Sequence, residues 1–266
     1  MYSDSTRRSR SASDVAASPA AASPAAVSRA GSAGRGNEDA HPWADARDHE
    51  PAHLRTRVAT AVAGMLVVLV GGLLLVHSSV DLPAAEAFAS VHVGFVALVT
   101  NAVYTVVEPA GAVVIAALIA VVVWWTRRSL RDAMAFGLTV AVTWLPTGAL
   151  KYVLDRPRPN PALLSHPFSP TQVDGSFPSG HAAFITALAV TLVLLTAGTR
   201  AQAVMRIVAP LVALFVVASV LIDAVHFPTD VLASVIWSLT VTPLVWTLVG
   251  WALDRWCPRR WAARRA

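Results

Sequence analysis

Residues 133–159 read AMAFGLTVAVTWLPTGALKYVLDRPRP. The stretch is apolar over about a membrane's thickness and closes on Lys151 and Arg158-Pro159. Charged groups are costly inside lipid, so such a set belongs at the rim of a span. Two more polar clusters edge other apolar runs: Pro178-Ser179-Gly180-His181 and His226-x-x-x-Asp230. The chain has 21 Lys+Arg, and Lys151 is the single lysine among them. The one ammonium therefore stands at the start of this polar set.

The rest of the composition agrees with a membrane protein. Of 266 residues, 55% are hydrophobic and 14% charged, against about 25% charged in a soluble domain. Mean hydropathy is +0.57. The fold class expected is all-α, a polytopic bundle of six transmembrane helices. The net charge of +5 would suit nucleic acid, but the arginines cluster beside the spans, so no nucleic-acid partner is expected. One cysteine, Cys257, excludes an internal disulfide.

Spans are expected near 58–76, 110–125, 133–153, 179–197, 207–225 and 231–253. Leu82, Ala85, Phe88 and Val91 recur at helical spacing, which predicts an interfacial helix within 77–92. A short helix should precede Pro109, with Glu108 among the headgroups. Residues 1–57 are rich in Ala, Ser, Arg and Pro and read as a disordered cytoplasmic tail. Residues 58–253 form the membrane domain, and 254–266 a basic cytoplasmic tail.

Six spans place both termini on one side. That side carries Arg55, Arg57, Arg127, Arg128, Arg131, Arg200, Arg206 and the arginines from Arg255 onward, so it is expected to be cytoplasmic. Lys151, Arg156, Arg158, His181, His226 and Asp230 fall on the other side. They should meet at the extracytoplasmic mouth of the bundle.

The types of residue suggest phosphoryl transfer. Lys151 offers a point charge and Arg158 a planar fork for phosphate oxygens. Ser179 and Gly180 open a helix, whose N–H groups and positive end suit an anion. Asp230 can fix the tautomer of His226 and leave its other nitrogen free to attack. His181 can protonate a leaving oxygen. The loop 160–175, with His166 and Asp174, is expected to shape headgroup choice.

These motifs resemble the type 2 phosphatidic acid phosphatase family, which shares its site with vanadium haloperoxidases. The family pattern is Lys-x6-Arg-Pro, Pro-Ser-Gly-His and Ser-Arg-x5-His-x3-Asp. Lys151 to Pro159 and Pro178 to His181 match in full; Ser219, His226 and Asp230 match the third motif, where Val220 replaces the arginine. The resemblance spans about 58–253. It implies His226 as nucleophile, Asp230 as its orienter, and His181 as acid and base through a phosphohistidine. It implies Lys151, Arg158, Ser179 and Gly180 as phosphate ligands, with no metal or other cofactor.

Two charged residues are weighed beside Val220. Arg156 is placed to supply the missing charge, and Asp223 would repel a phosphate if it faced the pocket. The expected activity is a cell-membrane lipid phosphatase. Its substrate would be phosphatidic acid, phosphatidylglycerol phosphate or a polyprenyl diphosphate such as undecaprenyl diphosphate. The alternative is an impaired member that binds lipid phosphate or a partner protein without turnover. A transporter and a haloperoxidase rank below these. The sequence does not fix the lipid or the oligomeric state.

Overall fold

Local signals set the ends of the helices in the computed structural model, which describes residues 51–256. The order is α1 (Pro51–Leu75), α2 (Leu82–Ala89), α3 (Gly94–Val106), α4 (Pro109–Arg127), α5 (Leu130–Leu154), α6 (Gly180–Leu195), α7 (Gln202–Ile222) and α8 (Pro228–Trp256), with a 3-10 turn at Pro161–Leu163. Proline needs no amide partner in a first turn, and Pro109 starts α4. Ser129 caps α5: its oxygen accepts from Asp132 N at 3.2 Å, and its hydroxyl donates to Asp132 Oδ1 at 2.8 Å. Ser179 caps α6 by accepting from Ala182 N.

The described residues hold helices and no strand, as the fold class requires. Five helices are long and apolar enough to cross a membrane: α1, α4, α5, α7 and α8. The crossing expected at 179–197 is α6, which has 16 residues. At about 1.5 Å per residue it is shorter than the hydrocarbon core. Most of its residues are buried by α5, α7 and α8, so it has little need to match lipid. The interfacial helix and the helix before Pro109 are α2 and α3, bent by 115°.

Two boundaries differ from the sequence reading. Helix α1 begins at Pro51, not Val58, so residues 51–57 are not part of an unstructured tail. Arg57 donates to the Thr247 hydroxyl of α8, which gives that polar turn a tertiary partner. Helix α8 runs to Trp256, beyond 253. Asp254 ion-pairs with Arg131, and Arg255 lies 5.7 Å over the Trp251 ring. The remaining tail residues, Cys257 included, lie outside the described residues.

Helix α6 sits at the centre and α1 packs along α8. A methyl group on Gly64 would land inside the Thr240 side chain, so these two backbones approach closely. Phe136, Val140, Phe184, Ile185 and Leu188 form the heart of one apolar cluster. Ala61, Val68, Trp237 and Val241 form another under α1. Leu73, Leu74, Leu118, Leu211 and Leu214 point outward, as lipid-facing residues should.

The bundle has two chemically distinct ends. At one, Arg127 donates to Leu195 O, the last carbonyl of α6, at 2.8 Å, and Arg131 to Gly250 O of α8 at 3.2 Å. At the other, the C-terminal ends of α5 and α7 meet the N-terminal ends of α6 and α8. All three polar motifs lie there.

Candidate active site

The chain leaves α7 through Ala224, whose φ of 49° is left-handed. A non-glycine residue there is strained by about 1–2 kcal/mol. The turn delivers His226 into the bundle, where it is 1% exposed. Its Nδ1 lies 2.7 Å from Ser176 O, and its Nε2 lies 3.4 Å from Arg158 Nη1. The Asp230 carboxylate stands 3.7 Å from Nδ1. The expected His226–Asp230 pair is therefore present, but a main-chain carbonyl is the closer acceptor. Burial, then the charges of Arg158, Lys151 and His181, push the His226 pKa well below its usual value. The ring is neutral near pH 7, with Nδ1–H donated to Ser176 O and the Nε2 lone pair accepting from Arg158.

Asp230 is completely buried and fully engaged. Its Oδ2 accepts from Phe227 N at 2.8 Å, and its Oδ1 from Arg156 Nη1 at 2.6 Å. Arg156 also donates to Thr229 Oγ1 at 2.7 Å, Ser78 O at 2.8 Å and Asp81 Oδ1 at 3.0 Å, and stacks 4.2 Å over Phe227. Asp81 closes the network on Thr229, accepting from its hydroxyl at 2.6 Å and its N–H at 3.1 Å. This corrects the compensating role expected of Arg156. Asp155, at φ 42°, ends α5 and the chain turns there. Arg156 then points behind His226, while Arg158 points toward the cleft. The charge of Arg156 is already matched by the carboxylates of Asp81 and Asp230.

A cleft of about 560 Å³ opens beside these groups. Its wall includes Lys151, Arg158, Gly180 and His181 together with Asp174. The sequence motifs thus converge, as expected. His181 stacks on Tyr104 at 4.1 Å, and its Nε2 lies 3.2 Å from Tyr104 O. Trp144 Nε1 donates to Gly180 O at 3.1 Å and braces the start of α6. Ser179 is buried, and its oxygen is used in capping α6.

Asp174 takes a position that spacing did not reveal. Its Oδ2 lies 2.8 Å from Lys151 Nζ and its Oδ1 2.6 Å from Arg158 Nη2. Its own carbonyl accepts from Arg158 Nε at 3.0 Å. Partial burial raises its pKa, but Lys151 and Arg158 outweigh that and hold it down at about 2. It is ionised at any ordinary pH.

Val220 is fully buried with Tyr104, Phe168, Ala182, Val225 and Val231. These apolar groups leave no cation there. Asp223 turns away from the main cleft. Its Oδ1 lies 3.4 Å from His92 Nε2, and neither oxygen makes a full hydrogen bond. His92 is held by His166 O at 2.9 Å from Nδ1 and Asn101 Oδ1 at 2.8 Å from Nε2. Burial raises the Asp223 pKa to about 6, against the lowering effects of Thr100 and His92. His166 thus acts through its backbone on this pair, while Asp174 reaches Lys151 and Arg158.

Comparison with known proteins adds to this geometry. A family model described as the PAP2 superfamily matches residues 132–254. The fold resembles the crystal structure of a transmembrane PAP2-type phosphatidylglycerolphosphate phosphatase from Bacillus subtilis. The TM-score is 0.59 at 20% identity, over 76% of this chain and 99% of that one. No curated protein matches.

Proposed function

We propose, from the match of residues 132–254 to the PAP2 superfamily model, that the protein is an integral membrane phosphatase acting on a lipid phosphate or diphosphate. The observation that carries this reading is the meeting of two groups. The unprotonated Nε2 of the buried His226 accepts from the guanidinium of Arg158 at 3.4 Å, a contact that a phosphate on Arg158 would replace. A nucleophile and an anion-gripping fork are what phosphoryl transfer needs at one point.

In this reading Lys151 and Arg158 hold the phosphate oxygens, helped by the N–H groups at the start of α6. His226 Nε2 bonds to phosphorus as the bond to the leaving oxygen breaks. His181 gives that oxygen a proton. The same residue then takes a proton from water. The water oxygen bonds to phosphorus, the P–N bond breaks, and inorganic phosphate departs. Asp230 and the Ser176 carbonyl stabilise the positive charge His226 acquires. The basic end of the bundle faces the cytoplasm by the positive-inside rule, and the cleft faces out. Phosphatidic acid, phosphatidylglycerol phosphate and polyprenyl diphosphates all present the required group.

The test is phosphate release by detergent-purified protein from a panel of these lipids. Release from one or more, abolished by His226→Ala, is the expected result. Equal release by variant and parent would sink the assignment.

A second reading rests on Val220. With an apolar side chain buried at that position, the chain binds a lipid phosphate without turning it over. Robust turnover rejects it; orthovanadate binding with no turnover supports it.

A further inference from the structure

We propose that Asp174 is a built-in occupant of the phosphate site, a latch that an incoming phosphate has to displace from Lys151 and Arg158. The proposal rests on the reading of Lys151 and Arg158 as phosphate ligands.

The first argument is geometric. Each carboxylate oxygen takes one cation, Lys151 at 2.8 Å and Arg158 at 2.6 Å. A phosphate held by the same two residues needs those same donors. Both anions cannot have them at once.

The second is access. His226 is 1% exposed and absent from the wall of the cleft that Lys151, Arg158 and His181 line. Arg158 lies between, tied on one side to Asp174 and on the other to Val225 O at 2.7 Å. Phosphorus reaches Nε2 only if Arg158 changes partners. The contact that can yield is the one to Asp174, whose side chain is 48% exposed.

The third is the way the loop is anchored. Immediately after Asp174 the chain is pinned. A methyl group on Gly175 would come within 2.8 Å of Lys151 O, and Ser176 N donates to Arg156 O at 2.8 Å. Before Asp174 the loop stands free, with Val173 99% exposed. Asp174 can swing about Gly175 without disturbing Ser176, whose carbonyl holds His226.

Two cations less one carboxylate leave the closed site with one net positive charge. Every anion that takes both cations has to displace the same tethered rival, so the latch lowers the affinity of all of them by one common factor, set by the fraction of time it is closed. Because Asp174 stays ionised far below neutral pH, a competing anion opens the latch and mild acid does not.

The experiment measures orthovanadate affinity of the full-length protein in detergent by calorimetry. Parent, Asp174→Asn and Asp174→Glu are compared, and phosphate release is followed in the same samples. If the latch is closed about nine-tenths of the time, the amide tightens vanadate binding about tenfold. Asp174→Glu keeps the parent affinity. Unchanged or weaker vanadate binding by Asp174→Asn overturns the latch. Tighter vanadate binding without phosphate release keeps the latch and defeats the phosphatase; release with unchanged vanadate binding does the reverse.

Discussion

Two walls of one cleft are built differently. Behind His226, the polar side chains Asp81, Arg156, Thr229 and Asp230 form a continuous network drawn from three parts of the chain. In front of it, Lys151 and Arg158 share one half-exposed carboxylate on a loop. The rear wall has its partners fixed in place. The front wall holds a partner that a ligand can replace. A phosphoryl-transfer site needs both: an attacking nitrogen held to a fraction of an ångström, and binding groups that exchange anions.

The comparison breaks first at His226. His226→Ala should lower phosphate release by at least about 10⁴-fold, since a covalent route is lost. Vanadate binding should survive it, because the front wall remains. A variant that loses both equally would mean the two walls do not act separately.

Arg156 tests the rear wall without touching the nucleophile. Arg156→Ala leaves Asp230 and Asp81 buried without their cation, at a cost of about 3–5 kcal/mol in stability. Chemical unfolding should register that loss. Turnover should fall roughly 10²-fold in kcat with little change in KM. A rise in KM alone would move Arg156 to the front wall. Arg156→Lys should recover part of the stability but little geometry, because one ammonium cannot reproduce the fork.

A pH profile sharpens the contrast. The pKa of His226 is lowered, so its neutral form persists as the medium is acidified. The acid limb that kcat/KM owes to this nucleophile should lie below pH 6.5. In the unfolded chain the imidazole regains its ordinary value. Stability linked to His226 is therefore present above about pH 6.5 and lost as pH falls. A limb centred above 6.5 would contradict a desolvated ring.

Asp223 gives the smallest effect, at the flank of both walls. Its folded pKa of about 6 exceeds the ordinary 3.8. The folded state binds that proton more tightly, so stability falls as pH rises from about 4 through 6. Asp223→Asn removes the ionisation. It should stabilise the protein by about 1–3 kcal/mol at pH 8 and by little at pH 4. Thermal melts at the two pH values check this. Equal shifts at both would assign the effect to packing.

The sequence exposed the parts of this site that depend on residue type and short spacing. Lys151 and Arg158 sit at one span's end, and His181 opens the next. Each was legible because a polar group interrupts an apolar run. Arg156 was misread because it stands two positions before Arg158 and shares its charge. The turn at Asp155 sends the two guanidinium groups to different sides of His226, and spacing carries no sign of it. The Ser176 carbonyl was invisible, since any residue type has one. Asp174 and the His92–Asp223 pair depend on tertiary proximity across loops with no periodicity. Helix boundaries slipped where tertiary partners extended a helix past its apolar run, as Thr247 does for Arg57.

The close approach of Gly64 to Thr240 has a consequence for biosynthesis. It joins α1 to α8, the first and last described helices. During translation α1 enters the membrane long before its partner exists. Asp81, just beyond α1, likewise waits for Thr229 at the start of α8. The rear wall is therefore assembled last, and a ribosome stalled before α8 leaves a chain that has Lys151, Arg158 and His226 but lacks the Thr229 and Asp230 that complete that wall.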